Sequence, residues 1–243
     1  MRWTAEGSEY EADPKQRKLI MEHFGFDEES SGLVFNGEKD WKKEEEWEEV
    51  LLDKEEATVF RGVAARANFL SLDCPDLQFP VKQMSREMAK PMVGSWKRMK
   101  KIARYLVNRK KVIWHFNWQD HTYKSHVCGD SDWGGRTGSR KSTSGGVWMI
   151  GGHCIKTWSV TQGAYALSSA EAEFYAMIEA VTRAKGLRSL AVEVGFVDLE
   201  NNVYIGTDRS AAKSFCGQAG SVEDEALGDT GIMVTEGSEG GQT

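Results

Sequence analysis

The chain has 243 residues, 40% hydrophobic and 28% charged, which suffices for one ordinary domain with an extension or for two small domains. A formal net charge of -6 and a pI near 5.5 exclude a protein that coats nucleic acid through bulk positive charge, so such binding needs a local basic patch. The four cysteines are widely spaced, and no apolar run approaches the roughly 18 residues of a membrane helix. We expect an intracellular protein, cytoplasmic or nuclear, with no signal peptide or transmembrane segment.

The first hundred residues are predicted to be mainly helical. Asp13 is an N-cap candidate before Pro14, and Gly25 is a typical stop, so a short helix is expected between them. Residues 28–57 are polar and acidic without a sustained apolar stripe, a composition typical of a linker. Apolar residues at helical spacing predict further helices over residues 55–70, 78–89 and 93–107, with Pro75 breaking the chain ahead of the second.

After His115 the pattern changes to short β-prone runs separated by Gly- and Ser-rich turns. Ser168, with Glu171 three residues later, forms a capping box at the start of a long amphipathic helix that ends near Gly195. The predicted strands are residues 124–130, 145–150, 154–159 and 202–207, and a short helix is predicted over 209–215. In this β-β-β-α-β-α order, the right-handed crossover rule places the strand after the long helix parallel to the first strand and beside it.

Three carboxylates are predicted to converge in this topology. Asp130 and Asp208 lie at or near the ends of the strands expected to be neighbours, and Glu173 lies in the first turns of the helix over them. Carboxylate oxygens suit hard ions such as Mg²⁺, and two such ions about 3.5–4 Å apart can hydrolyse a phosphodiester. An aspartate at a strand end is nevertheless more often a turn or cap residue, so topology alone favours a structural role.

Three stretches resemble the ribonuclease H domain of copia-type retrotransposon polyproteins, in that family's order and spacing. They are residues 128–147, beginning Cys-Gly-Asp-Ser-Asp-Trp-Gly-Gly, residues 166–176, reading Ala-Leu-Ser-Ser-Ala-Glu-Ala-Glu-Phe-Tyr-Ala, and residues 207–212, reading Thr-Asp-Arg-Ser-Ala-Ala. Upstream stretches at 10–14, 55–58, 75–79 and 100–106 are similar to the segment that joins the reverse transcriptase to its ribonuclease H. The resemblance covers roughly residues 8–217 and lacks the polymerase's own Asp-Asp signature.

The resemblance implies metal-dependent endonucleolytic hydrolysis of the RNA strand of RNA–DNA hybrids, as part of a reverse transcriptase polyprotein. It assigns catalysis and metal binding to Asp130, Glu173 and Asp208, with two Mg²⁺ or Mn²⁺ ions if the site is complete. Asp132 and Glu171 are close neighbours that compete for the first two assignments, although a capping role is sufficient for Glu171. The histidines and cysteines lack the spacing of a zinc site.

The family's fourth carboxylate, in a Lys-His-Ile-Asp or Lys-His-Ile-Glu motif, has no match in this chain. Asp224 and Asp229 fall in the corresponding region, but the residues around them differ from the motif. The alternative function is therefore a catalytically inactive nucleic-acid-binding remnant of the same domain. A third hypothesis is a regulatory module whose helical first half binds a protein partner.

Two basic clusters are candidates for binding the phosphates of the hybrid. Lys97, Lys101 and Arg104 lie on one face of a predicted helix, while Arg140 and Lys141 lie in a loop between strands. The solvated face of an ordinary amphipathic helix explains the first cluster equally well. The expected partners are an RNA–DNA hybrid and the remainder of the polyprotein, with no membrane.

Five segments are predicted along the chain. They are a short helical segment (1–27), an acidic linker (28–57), a helical connection segment (58–114), a ribonuclease H-like domain (115–217) and a disordered tail (218–243). The expected fold class is α/β, a ribonuclease H-like domain of β-β-β-α-β-α order with an incomplete carboxyl terminus, preceded by a mainly helical segment.

Overall fold

The computed structural model describes residues 1–34, 50–120, 125–135, 139–195, 203–207 and 232–236. The chain divides into two compact units, Met1–Phe116 and Asn117–Thr243. Each unit contains its own cluster of buried apolar side chains, as expected of separate domains.

The described part of the first unit contains helices and a small sheet. The strands are β1 (Arg2–Trp3), β2 (Gly7–Glu11) and β3 (Ile113–Asn117), and the helices are α1 (Pro14–His23), α2 (Lys54–Ser71), α3 (Pro75–Arg86) and α4 (Val93–Asn108). The strands form a sheet of order β1-β2-β3, which the sequence analysis did not predict. Strands of two and five residues leave too short a pattern for an alternating period to be recognised.

The starts of the helices follow local capping rules. The Asp13 carboxylate accepts a hydrogen bond of 2.9 Å from the Lys15 N–H, and Pro14 occupies the first position of α1, as predicted. Asp53 and Glu56 form a reciprocal capping box at the start of α2. The prediction for α3 was wrong at its start, because Pro75 begins this helix instead of breaking the chain. Proline suits the first helical position, where its missing N–H costs no bond.

The helices of the first unit bury one shared apolar core. Its fully buried large side chains are Ile20, Phe60, Leu77, Met84, Met99, Ile102 and Leu106. Each contributes roughly 1.5–3 kcal/mol relative to an exposed position. The buried Arg17 guanidinium donates to the carbonyl oxygens of Leu106 at 2.9 Å and Val107 at 3.3 Å, so it satisfies the carboxyl end of α4.

The second unit is a five-stranded sheet with one described helix packed against it. Its elements are β4 (Ser125–Asp132), β5 (Thr143–Ile150), β6 (His153–Thr161), α5 (Ser169–Glu193), β7 (Val203–Thr207) and β8 (Ile232–Glu236). The strand order is β6-β5-β4-β7-β8. Strand β5 pairs antiparallel with both β4 and β6, and β7 pairs in parallel with β4. The position of β7 confirms the crossover prediction, and the described elements confirm the predicted α/β class and the β-β-β-α-β part of the predicted order.

Strand β8 lies in the segment 218–243, where the sequence analysis predicted disorder. It pairs in parallel with β7 from Val203↔Ile232 to Thr207↔Glu236. Disorder is therefore the wrong description for these five residues, because a partner strand distant in sequence completes their backbone hydrogen bonds. The predicted helix over 209–215 lies outside the described residues.

Helix α5 approaches β4 closely because the facing residues are small. A Cβ added at Gly129 would lie 3.1 Å from the Ala176 carbonyl oxygen and 3.1 Å from the Ala180 Cβ. A larger side chain there would displace the helix from the sheet. The remaining contacts form the second core, whose members are Val127, Trp148, Trp158, Met177, Ala180, Ala184 and Ile205.

Candidate functional site

The amino-terminal end of α5 lies toward the carboxyl end of β4. Gly129 faces Ala176 and Ala180, whereas Val127, two residues earlier on the strand, belongs to the core cluster that includes Ala180 and Ala184. The helix therefore runs antiparallel to β4. Glu173, one turn ahead of Ala176, is only 1% exposed and is placed toward the end of the strand that bears Asp130.

Asp130 and Asp132 differ in their surroundings, although both belong to β4. Asp130 is exposed and lies opposite Gly145 of β5 in the antiparallel register. The Asp132 carboxylate lies against the turn that follows, since a Cβ added at Gly135 would be 1.6 Å from its Oδ2 atom. The structure thus gives Asp132 a contact within the turn and leaves Asp130 accessible to solvent.

Gln162, which the sequence analysis did not single out, fixes the start of α5. Its buried side-chain amide donates to the Ser144 Oγ at 3.0 Å and to the Ala172 carbonyl oxygen at 2.8 Å. Ala172 immediately precedes Glu173, so this amide links β5 to the backbone beside the buried carboxylate. No local sequence signal identifies Gln162, because its two partners lie 18 and 10 residues away.

The predicted capping box of α5 is only half present. The Ser168 Oγ accepts from the Glu171 N–H at 3.1 Å, as predicted. The Glu171 carboxylate accepts instead from the Leu167 N–H at 2.7 Å and from the Tyr175 hydroxyl at 2.7 Å. These two hydrogen bonds, the first from Leu167, lower the pKa of the Glu171 carboxyl below its usual range. Glu171 therefore has a local structural role at the helix start.

The third predicted carboxylate, Asp208, lies outside the described residues, as do Asp224 and Asp229. The described register between β4 and β7 runs from Ser125↔Val203 to Cys128↔Gly206. Within the described ranges, no group of three or more His, Cys, Asp or Glu side chains could hold a metal ion. The structure therefore brings Asp130 and Glu173 to one end of β4 and does not describe a third ligand.

The basic residues of α4 lie on a face that the chain itself partly covers. The Arg104 Nε donates to the Ser31 carbonyl oxygen at 3.3 Å, and the Leu33 N–H donates to the Arg104 carbonyl oxygen at 3.1 Å. Lys97 is exposed and Lys101 is half-buried on the same helix. The backbone at Ser31 and Leu33 thus occupies the carboxyl-terminal part of the predicted phosphate-binding face.

The predicted basic loop lies beside the turn after β4. The Lys141 Nζ donates to the Gly163 carbonyl oxygen at 2.9 Å and lies 5.2 Å from the centroid of the Tyr165 ring. The Arg140 Nε lies 3.8 Å from the position that a Cβ at Gly134 would take. Both cations therefore lie beside the turn after β4 and the loop that leads into α5.

Comparisons with known proteins point to transposon polyproteins. No family model matches the chain. The retrovirus-related Pol polyprotein from transposon RE2 of Arabidopsis thaliana is 29% identical over 161 residues, covering 65% of this chain and 11% of that protein. The chain therefore spans about a tenth of the length of this curated relative. Secreted RxLR effector protein 161 of Plasmopara viticola is 34% identical over 110 residues, covering 45% of this chain and 77% of that protein.

Among solved structures, the foamy viral protease-reverse transcriptase in complex with dsDNA is similar, with a TM-score of 0.46 and 12% identity. The similarity covers 87% of this chain and 43% of that chain. Within the described ranges, no helix is long and apolar enough to cross a bilayer.

Proposed function

Since this chain belongs to the retrovirus-related Pol polyproteins of copia-type transposons, we propose that it hydrolyses the RNA strand of RNA–DNA hybrids as the ribonuclease H part of such a polyprotein. The observation that carries the proposal is the buried Glu173 carboxylate at the start of α5, placed toward the end of β4 that bears Asp130. Burying a carboxylate in a protein interior is costly, so its retention at this position favours a functional role.

The proposed metal ligands are Asp130, Glu173 and Asp208. Carboxylate oxygens are the donors that Mg²⁺ and Mn²⁺ prefer, so the side chains fit the ions chemically. In the sequence, Asp208 directly follows Thr207, the last residue of β7. When bound, such ions activate a water molecule and neutralise the charge on the leaving oxygen of a phosphodiester.

The remaining residues of the site hold these groups in place. Gln162 and Ser168 fix the first turns of α5 and thereby the position of Glu173. Because Asp130 is exposed, a phosphodiester can reach it from solvent. The proposed contacts to the hybrid backbone are Lys97, Lys101, Arg104, Arg140 and Lys141. A buried carboxylate held in place by its helix and an accessible carboxylate, both toward the carboxyl end of β4, support a preorganised site.

A catalytically inactive remnant that binds nucleic acid is the second candidate. It is favoured by the absence from the sequence of a Lys-His-Ile-Asp or Lys-His-Ile-Glu motif. Such a remnant would bind the hybrid in a salt-sensitive manner and leave it intact.

Cleavage of a labelled RNA–DNA hybrid in Mg²⁺ or Mn²⁺ tests the proposal. We expect the wild-type chain to cut the RNA strand and Asp130→Asn to lower the rate by at least about 100-fold, as when one charge-stabilising group of a preorganised site is removed. Asp132→Asn is the matched control and should retain most of the activity. Intact RNA with both metals, together with salt-sensitive binding, would establish the inactive remnant instead.

A further inference from the structure

Two aromatic side chains are exposed where the turn after β4 meets the loop before α5. Trp133, in the turn after β4, is 47% exposed, and Tyr165, in the loop before α5, is 59% exposed. Trp148 and Trp158 of the same unit are buried in its core. The core therefore explains the latter two rings and gives no reason for the exposure of Trp133 and Tyr165.

Specific contacts hold both exposed rings in place. The Trp133 indole N–H donates to the Ala166 carbonyl oxygen at 3.2 Å, and Ala166 directly follows Tyr165 in the chain. The Tyr165 ring lies beneath the Lys141 ammonium group, which is itself anchored to the Gly163 carbonyl oxygen. A ring already fixed in position loses little conformational entropy when a ligand stacks on it.

The same surface carries positive charge. Arg140 lies against Gly134, the neighbour of Trp133, and Lys141 lies at Tyr165. The Gly134 N–H donates to the Ser142 Oγ at 3.1 Å, which ties the turn after β4 to the start of β5. Exposed rings next to cations complement a ligand that offers flat aromatic groups joined by phosphates.

We propose that Trp133, Arg140, Lys141 and Tyr165 form a platform that binds an unpaired nucleic-acid strand adjoining the hybrid. The proposal deepens the proposed function and rests on it. Bases within a duplex stack on one another, so only unpaired bases offer a free face to these rings. Because every base has such a face, the platform binds without sequence preference, and its cations make the binding salt-dependent.

The platform also locates this strand relative to the candidate site. Trp133 follows Asp130 by three residues, and the Trp133 indole is bonded to the loop that leads into α5, the helix of Glu173. An unpaired strand held on the rings therefore lies at the turn after β4, three residues along the chain from the exposed Asp130. This position favours substrates in which the hybrid continues into a single strand over blunt hybrids.

The test compares the binding of labelled substrates by fluorescence anisotropy in EDTA, where metal-dependent cleavage does not interfere. The probes are a blunt hybrid and the same hybrid with an unpaired RNA or DNA extension. We expect the wild-type chain to bind the extended hybrid roughly 5- to 150-fold more tightly, the range that one stacked base provides. Trp133→Ala and Tyr165→Ala should each remove most of this gain, while Trp133→Phe should keep most of it.

Trp118→Ala is the matched control, because Trp118 is 64% exposed in the same unit and lies outside the platform. Circular dichroism verifies that each variant is folded, and Tyr165→Ala leaves the indole hydrogen bond of Trp133 intact. Equal affinity for blunt and extended hybrids, or an unchanged gain in both alanine variants, would overturn the platform.

The two proposals fail in different ways. A chain that prefers extended hybrids and never cleaves them refutes the proposed ribonuclease activity and supports the platform. A chain that cleaves hybrids in an Asp130-dependent manner and shows no gain from an extension supports the activity and overturns the platform.

Discussion

The two compact units differ in what their interiors contain. The core of the first unit consists mainly of large apolar side chains, among them Phe60, Leu77 and Ile102, and the charged group that this unit buries, Arg17, bonds to backbone carbonyl oxygens. The core of the second unit includes small residues such as Ala180 and Ala184, and the same unit buries Ser144, Gln162 and Glu173. An apolar interior serves stability alone, whereas buried polar groups that are held by specific hydrogen bonds fix positions for chemistry.

The ionisable groups of the two interiors illustrate the same difference. In the first unit, burial raises the pKa of the Cys74 thiol and of the Tyr105 hydroxyl to about 12 each, so both remain neutral. A hydrogen bond to Asp76 adds to the effect at Tyr105. The first unit therefore keeps these polar groups uncharged, which is consistent with a structural role.

The largest expected effect on either unit is the loss of stability caused by a cavity in the core of the first unit. Phe60→Ala should lower the free energy of unfolding of the first unit by about 3–5 kcal/mol, since a fully buried ring is lost. Phe69→Ala on the same helix is the control and should cost far less, because Phe69 is exposed. Hydrogen exchange during denaturant titration measures the loss for each unit separately. Equal loss in both variants would contradict the role of Phe60 in the core.

A smaller effect is expected from the buried amide of the second unit. Gln162→Ala leaves the Ser144 hydroxyl and the Ala172 carbonyl oxygen without this donor and should destabilise the second unit by about 1–3 kcal/mol. The control is Gln119→Ala, which removes an exposed amide that bonds to the Ile150 carbonyl oxygen and the Gly152 N–H in the same unit. Chemical denaturation of the two variants should give the larger loss for Gln162, and the opposite order would refute its positioning role.

The smallest expected effect is a pH dependence at the start of α5. Hydrogen bonds from Leu167 and Tyr175 lower the folded-state pKa of Glu171, so its stabilisation is present above the unfolded pKa of about 4.3 and is lost as the pH falls through the folded value. Glu171→Gln should therefore lose less stability than wild type between neutral pH and about pH 3. Thermal unfolding across this range measures the difference, with the exposed Glu193→Gln as control. Parallel curves for Glu171→Gln and wild type would contradict the effect.

Local signals were sufficient for many elements. Asp13 and Pro14 mark the start of α1, and the periodicity of residues 93–107 predicts α4 nearly to its ends. In the second unit, the order of the elements and the handedness of crossovers predict β7 beside β4. These features depend on residues that are neighbours in sequence or on a general rule of chain topology, so they can be predicted from the sequence alone.

The candidate site was predictable only in part. The sequence stretches around Asp130 and Glu173 identify these two carboxylates, and the predicted topology places them at one end of β4. The resemblance favours Asp130 over Asp132, and this choice stays a prediction. The structure adds a difference in their surroundings, because Asp130 is exposed whereas the Asp132 carboxylate lies against the turn at Gly135.

By itself, the sequence determined most of the helices, most of the strands of the second unit and its α/β class, and it named Asp130 and Glu173 as candidate carboxylates. Only the tertiary structure decided the sheet of the first unit, the strand β8 and the partners of the polar side chains. Gln162 bonds to Ser144 18 residues away, Lys141 to Gly163 22 residues away and Arg104 to Ser31 73 residues away. Such contacts arise when the chain folds distant segments against each other, and neither local periodicity nor residue propensity encodes them.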